Sequence, residues 1–483
     1  MELEKYFHHF RGNIIGNKQD FHTHYGKKHI LYADWTASGR LYKPIEDKIL
    51  YQFGPFVANT HTETNVTGKS MTWAYKEAKT IIKKHVNASE SDLLFFEGTG
   101  MTGALHKVQR LLGLTLHENY TARVRKTQKP VVFITHMEHH SNQTSWEETV
   151  ADVVVIPPDA NGEVSPRILE KVIKEYDDRP LKIGSFTACS NVTGIQTPYH
   201  QLAEVIHRHR GVCFVDFSAS APYIPIDMHP KNQREHLDGI FFSPHKFLGG
   251  PGSMGVAIIS NRLYKNKVPD RPGGGTVLWT NPWGEKSYIS NIEEREDGGT
   301  PGFLQAIKTA LAICLKEEMG SELMLAQDKK LIHLLLERLV ENEKIVILEE
   351  SRWDRLPIVS FYVEGIHHQF IVKLLNDVYG IQVRGGCSCA GTYGHYLLKI
   401  DEKKSLAITN EIDKGNQFVK PGWVRVSLHP TMTEKEVLYI AKAICDVVEQ
   451  IELYKEDYRF IPDINDFQHK DEPFMCYDQW FTF

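Results

Sequence analysis

The chain has 483 residues, of which 41% are hydrophobic and 24% charged, and a formal net charge of −5. That balance belongs to a globular protein with enough core for two domains, and it lacks both the basic stripe of a nucleic-acid binder and the acidic block of a disordered tail. No run of about 18 apolar residues suggests a membrane span, the N-terminus shows no basic region followed by an apolar stretch, and seven cysteines suit reduced thiols, so a cytoplasmic protein is expected.

Residues 1–30 are expected to form an N-terminal arm packing on a smaller C-terminal domain. From 31 to 325, short continuous runs rich in β-branched and aromatic residues predict strands at 92–96, 131–135, 153–156, 183–187, 212–216, 239–243 and 256–260. Runs of this kind are buried on both faces. Helical patterns lie between them, such as 199–210, where Leu202, Val205 and Ile206 share one face and Gly211 stops the helix. The alternation predicts an α/β large domain on a mostly parallel seven-stranded sheet. The Gly/Pro-rich tract 268–302 is too long for a simple connection, and loops of that size are commonly functional. From 326 to 483 the texture changes to a smaller α+β domain. Strands are expected there at 344–348, 358–362, 381–384 and 423–427, with helices near 367–378 and 433–451 and a packed aromatic tail. No internal repeat is visible.

The chemistry gathers at the ends of the large-domain strands. Lys246, in Ser243-Pro244-His245-Lys246-Phe247, follows one strand, where a partly desolvated amine can attack an aldehyde cofactor. Glu97-Gly98-Thr99-Gly100-Met101-Thr102-Gly103 follows another, and its glycines let backbone N–H groups at a helix start approach an anion. It does not match a nucleotide P-loop or Gly-x-Gly-x-x-Gly. Asp216 ends a strand and could hold a pyridine nitrogen protonated, while His139, in Glu138-His139-His140-Ser141-Asn142, could stack on a ring. Each residue alone has an ordinary structural reading: a solvated lysine, a tight turn, a capping aspartate, a loop histidine. A metal held by His139, His140 and the Cys387-x-Cys389 pair is not expected, because the paired spacing of such sites is missing.

Taken in order, Glu138-His139-His140, Ser190-Asn191-Val192-Thr193-Gly194, Val215-Asp216, Ser243-Pro244-His245-Lys246, Gly273-Gly274-Gly275, Gly299-Thr300-Pro301 and Arg384-Gly385-Gly386-Cys387-Ser388-Cys389-Ala390 resemble the class V aminotransferase superfamily. Within it they are most similar to the cysteine desulfurase and selenocysteine lyase branch, over nearly the whole chain from about Leu31 to Ile451. The resemblance implies a fold type I enzyme dependent on pyridoxal 5′-phosphate. Lys246 would carry the cofactor, and Thr99, Gly100, Met101, Ser243 and His245 would surround its phosphate. Asp216 would pair with the ring nitrogen, His139 would stack on the ring and assist catalysis, and Asn191 would face cofactor and substrate. Thr276 would reach the phosphate of a partner subunit, since such enzymes work as homodimers with shared sites. Arg425, assisted by Arg384, would clamp the substrate carboxylate with its planar fork.

Cys389 decides the reaction. The resemblance implies a nucleophilic thiol here that takes sulfur from L-cysteine, leaving alanine and an enzyme persulfide for a sulfur-acceptor protein. An available thiolate is required, with Arg384 or His395 as its expected helpers. The alternative is transamination, epimerisation or C–S lysis on the same fold with Cys389 incidental. Three departures bear on substrate and acceptor: Ala219 where relatives often carry glutamine, Cys387 where histidine is frequent, and a long insertion at 391–421. Sulfur against selenium, and the order in which Cys387 and Cys389 react, stay open.

Overall fold

The structure, a computed structural model, describes residues 3–121, 124–472 and 477–482. Seven short runs form one sheet: β1 Leu93–Phe96, β2 Val131–Thr135, β3 Asp152–Ile156, β4 Lys182–Thr187, β5 Val212–Asp216, β6 Gly239–Phe242 and β7 Val256–Ile259. Their order is β1-β7-β6-β5-β4-β2-β3. Strands β2 to β6 are parallel neighbours, and β7 runs antiparallel between β1 and β6. Only the edge strand β3, which begins with Asp152, is largely half-exposed, while the others are buried throughout, as the β-branched and aromatic runs require.

Helices supply the second face of that burial. Ala104, Leu105 and Val108 of the helix Met101–Leu111 share a core cluster with Phe214, Phe241 and the fully buried Trp146. Each large side chain taken out of water here contributes about 1.5–3 kcal/mol. Gly184 is demanded by packing: a Cβ would stand 2.5 Å from the Phe186 ring and 2.8 Å from Ile206, where the helix Tyr199–Arg208 crosses β4. Because β1 and β2 to β6 all point the same way, the segments leaving their C-terminal ends emerge on one edge of the sheet, where α/β proteins bind ligands. The Gly/Pro-rich tract is less loop-like than its composition suggests. It folds into a hairpin, Val277–Thr280 with Lys286–Tyr288, and a short helix, Ile292–Glu296. Glu296 anchors it, bonded to Lys107 Nζ at 2.9 Å and Tyr264 Oη at 2.7 Å.

The chain divides into two compact units, residues 36–191 with 195–325, and residues 1–35 with 192–194 and 326–483. The second is built on β8 Ile345–Ile347, β9 Ile358–Val363, β10 Arg384–Gly386 and β11 Trp423–Ser427, antiparallel in the order β8-β9-β11-β10. Its boundary falls after Trp35 because Leu31–Tyr32 pairs in parallel with Ile381–Gln382. The strand expected over 381–384 is therefore two strands: the run changes partners at Val383, from Leu31–Tyr32 to β11. The N-terminal helix Leu3–Arg11 is tied to the helix Glu434–Tyr454 by Arg11 Nη1 donating to Glu436 Oε2 at 2.7 Å. The tail forms a hairpin, Tyr458–Ile461 with Asp466–His469. It packs Phe467 on Phe370 at 4.9 Å and donates from Tyr458 Oη to Asp377 Oδ2 at 2.9 Å. The 391–421 segment carries the helices Gly391–Leu397 and Glu402–Asp413, the second with no buried residue.

Candidate active site

Four of the segments that leave the strand ends of the first unit are bonded to one another. Ser243, just after β6, accepts a hydrogen bond on Oγ from the Met101 N–H at 2.8 Å, which joins the Lys246 turn to the start of the helix Met101–Leu111. His245 Nδ1 meets the Thr99 carbonyl at 2.8 Å, a second tie between the same turns. Since a carbonyl only accepts, that ring nitrogen carries the hydrogen. Gly100 is squeezed between these partners: a Cβ would lie 3.0 Å from His245 Cε1 and 3.1 Å from Ser243 Oγ. After β5, Asp216 Oδ1 accepts from the Ser218 N–H at 2.8 Å, and Ser218 Oγ stands 3.4 Å from Ser243 Oγ. Thr102 Oγ1 meets Ser141 Oγ at 2.7 Å, bringing in the helix His140–Glu147. His139 caps that helix, its Nδ1 accepting from the Ser141 N–H at 3.1 Å.

The structure thus brings Thr99, Gly100, Met101, Ser243 and His245 into one cradle, with Asp216 and His139 on its flanks. Asp216 is buried, and burial raises its carboxyl above the ordinary carboxylate range, while the Ser218 bonds and the Lys246 charge pull it back down. Burial also lowers the His245 ring, the Thr99 carbonyl opposes that shift, and the Lys246 charge adds to it. Asn191 is buried in the turn after β4, whose Ala188 N–H donates to the Asp216 carbonyl at 2.9 Å. Thr276 stands apart from the cradle: it is fully buried, and its hydroxyl donates to the Gly273 carbonyl at 2.7 Å, closing its own turn.

Sequence reasoning quoted Glu138 without giving it a task. Its carboxylate is fully buried and collects four donors, Thr135 N–H at 3.2 Å, Thr135 Oγ1 at 2.7 Å, Thr187 N–H at 2.9 Å and Asn142 Nδ2 at 2.8 Å. It thereby fastens the ends of β2 and β4 beneath His139. A carboxylate three residues after a strand was the available signal. Ser218 and the Thr102–Ser141 pair were missed because nothing in their local sequence marks them.

In the second unit, Arg425 on β11 is buried and donates from Nη2 to Asp34 Oδ1 at 2.8 Å. Burial lowers its pKa, and the Asp34 carboxylate opposes that. Arg384, its cross-strand neighbour on β10, donates from Nε to the other oxygen of Asp34 at 3.0 Å. One carboxylate therefore holds both arginines side by side. Cys389 is exposed and Cys387 half-buried. Ser388 and Cys389 both adopt left-handed backbone, φ 52° and 54°, in a turn closed by the Ala390 N–H donating to the Cys387 carbonyl at 3.0 Å. Side chains with a Cβ seldom adopt this region, and two in succession fix the turn's shape at an energetic cost. The Trp423 indole N–H secures it through Ser388 Oγ at 3.1 Å. The helpers expected for the Cys389 thiol are engaged elsewhere. Arg384 is held by Asp34, and His395 bonds the Gly391 carbonyl at 2.7 Å and Ser405 Oγ at 2.8 Å.

The sequence matches the family model for aminotransferase class-V over residues 31–440. It is 27% identical over 369 residues to a probable cysteine desulfurase of Halalkalibacterium halodurans, covering 75% of this chain and 84% of that protein. A cysteine desulfurase of Haloferax volcanii is 26% identical over 368 residues, covering 74% and 80%. Among solved structures, the apo cysteine desulfurase of Thermococcus onnurineus superposes with a TM-score of 0.71 at 22% identity, covering 91% of this chain and 98% of that one. The cysteine desulfurase CsdA of Escherichia coli gives 0.67 at 21% identity, covering 86% and 94%. These likenesses establish the fold.

Proposed function

The chain belongs to the aminotransferase class-V family, and from that premise we propose that it is a pyridoxal-phosphate-dependent cysteine desulfurase converting L-cysteine to alanine and a persulfide on Cys389. The observation that carries this reading is the exposed Cys389 thiol on the strained Cys387–Ala390 turn, in a chain whose relatives bear that name. The cradle suits the cofactor's phosphate. Gly100 leaves room where a Cβ would collide, the helix Met101–Leu111 begins there, and Ser243 and His245 flank it. Lys246 would hold the cofactor through its amine and would take the substrate Cα proton. Asp216, buried and facing the Lys246 charge, keeps the ring nitrogen protonated. His139 would lie against the ring, and Asn191 would face the substrate. When bound, pyridoxal phosphate supplies an electron sink for charge developing at the substrate Cα. Arg425 binds the substrate carboxylate, with Arg384 and Asp34 setting its orientation.

In the sulfur step the Cys389 thiolate attacks the substrate sulfur. An S–S bond forms, the Cβ–S bond breaks with its electron pair going to carbon, and that carbon is protonated on the way to alanine. The persulfide passes to an acceptor. We place the enzyme in the cytoplasm as a homodimer with shared sites, in which the exposed Leu278, Trp279 and Trp283 of the hairpin after Thr276 meet the second copy. No described helix is long and apolar enough to cross a membrane.

The test is incubation of the holoenzyme with L-cysteine while alanine and sulfide are quantified. Wild type is expected to make alanine, whereas Cys389→Ala and Lys246→Ala make none. Alanine persisting in Cys389→Ala overturns the thiol's role and moves the reaction to C–S lysis. A keto-acid requirement without sulfide release moves it to transamination.

A further inference from the structure

The proposed function gives Cys389 a task and leaves Cys387, two positions earlier, without one. The two cysteines flank a turn of fixed shape. Gly386, the last residue of β10, has φ 115°, and the space where its Cβ would stand is open. Ser388 and Cys389 then adopt positive φ, and the Ala390 N–H closes the reversal on the Cys387 carbonyl at 3.0 Å. Ser388 is the apex, and its hydroxyl oxygen accepts from the indole N–H of Trp423, a buried residue of β11. The apex is thereby pinned to the sheet. On either side of it stand the cysteines, Cys387 half-buried and Cys389 exposed.

Such a reversal draws its two ends together. Consecutive Cα atoms are about 3.8 Å apart, and a chain that folds back at the residue between them leaves the outer two at about 5.5 Å, near the middle of the about 4.4–6.8 Å that a disulfide bridges. In an extended strand the same two residues would stand close to the upper limit of that range. Strained backbone of this kind gathers at functional sites. Exposing one thiol needs a single residue to face outwards, whereas this turn sets two thiols beside each other. A thiol tethered through one intervening residue also meets its neighbour at a millimolar effective concentration or above, enough to compete with a separate acceptor protein.

We propose that Cys387 is a resolving thiol, which discharges the Cys389 persulfide as hydrosulfide and closes a Cys387–Cys389 disulfide that arrests the enzyme until a thiol reductant opens it. The inference rests on the desulfurase reading, which supplies the persulfide. Cys387 gives its proton to water, and its thiolate attacks Cys389 Sγ. The Sγ–Sγ bond forms, and the bond from Cys389 Sγ to the outer sulfur breaks. The outer sulfur keeps the electron pair, takes a proton and leaves as hydrosulfide. It is reduced to sulfide by the two electrons that the cysteine pair gives up in becoming a disulfide, so no outside oxidant enters. Acceptor and Cys387 thus compete for one persulfide. With acceptor abundant, sulfur leaves at the persulfide level; without it, sulfur leaves as sulfide and turnover stops.

The experiment takes reduced, cofactor-loaded enzyme, freed of reductant and kept from oxygen, and adds one equivalent of L-cysteine. Alanine, sulfide and the mass of the peptide carrying residues 387–389 are measured. Wild type is expected to release one sulfide for each alanine and to yield that peptide lighter by two hydrogens, and a second equivalent of L-cysteine gives no further alanine until a dithiol is added. Cys387→Ser is expected to hold the sulfur as a persulfide, its peptide heavier by one sulfur atom, and to release at least about tenfold less sulfide per alanine. Alanine accompanied by a persulfide that lasts on wild type as long as on Cys387→Ser overturns the resolving step and leaves the desulfurase reading standing. No alanine from wild type overturns that reading, and the resolving step with it. The wild-type peptide mass decides by itself, so a Cys387→Ser chain that fails to fold leaves the test intact.

Discussion

Glu138 illustrates how one residue can support a site without touching any ligand. Burial raises its carboxyl to about 7, and the bonds from Asn142, Thr135 and Thr187 only partly offset that. With the folded value above the ordinary 4.5, the folded chain holds a proton that the unfolded chain releases between those two pH values. The stability this group supplies is complete below pH 4.5 and is lost as pH rises through about 7, amounting to about 3 kcal/mol. Glu138→Gln is expected to abolish that slope. Across the interval the wild-type urea midpoint should fall relative to that of the variant as pH rises towards neutral; a constant difference would refute the assignment. Because Glu138 precedes His139 and ties β2 to β4, Glu138→Ala is expected to weaken cofactor retention as well.

At the scale of elements, a buried lysine couples a helix to the turns of the cradle. Lys316, on the helix Phe303–Met319, donates to the carbonyls of Ala221 at 2.7 Å and Ile224 at 2.6 Å, in the segment that follows Asp216. Its ammonium lies 5.8 Å from the ring centroid of Phe247, the neighbour of Lys246. Lys316→Met keeps the length and strips the donors, leaving two buried carbonyls unpaired at a cost of about 3 kcal/mol. Burial lowers the Lys316 amine to about 7, against the raising influence of Glu317. A depressed basic group costs stability as pH falls from 10.5 towards 7, so the advantage of wild type over Lys316→Met is expected to widen with rising pH in that range, as read by chemical denaturation. This element-scale logic also explains what could be read beforehand. The seven strands were legible because burial on both faces leaves short continuous apolar runs. The cradle was legible because Thr99 to Met101 and Ser243 to Lys246 are local strings, each directly after a strand, which gain meaning from their order along the chain. The split at Val383 was not, because a strand's own residues do not say which partner it takes. Nearness in sequence pointed to Arg384 and His395 as neighbours of the Cys389 thiol, and it gave no hint of the bonds that each makes in space to Asp34 and Ser405.

At the scale of the molecule, the second unit is closed by the two distant ends of the chain. Leu31–Tyr32 supplies a strand to Ile381–Gln382, Trp35 stacks on His429 at 4.1 Å, and Asp34 spans 391 positions to reach Arg425. Such contacts form late and cost loop entropy, so the unit cannot complete itself until the C-terminal segment exists. Asp34 is the most exacting of them, because it is the carboxylate shared by a buried and an exposed arginine. Removing one partner of a buried ion pair strands the other charge, at a cost of about 3–5 kcal/mol. Asp34→Ala is therefore expected to lower the unfolding free energy of the second unit, read from urea denaturation, by that amount, whereas Asp34→Asn, which keeps an acceptor for one arginine, loses less. Hydrogen exchange localises the effect. Amides of β10, β11 and Ile381–Gln382 should lose protection in Asp34→Ala while β4, β5 and β6 keep theirs. Equal loss in both sheets would mean that the chain unfolds as one cooperative body, and that the Asp34 network stabilises the whole molecule rather than the unit it closes.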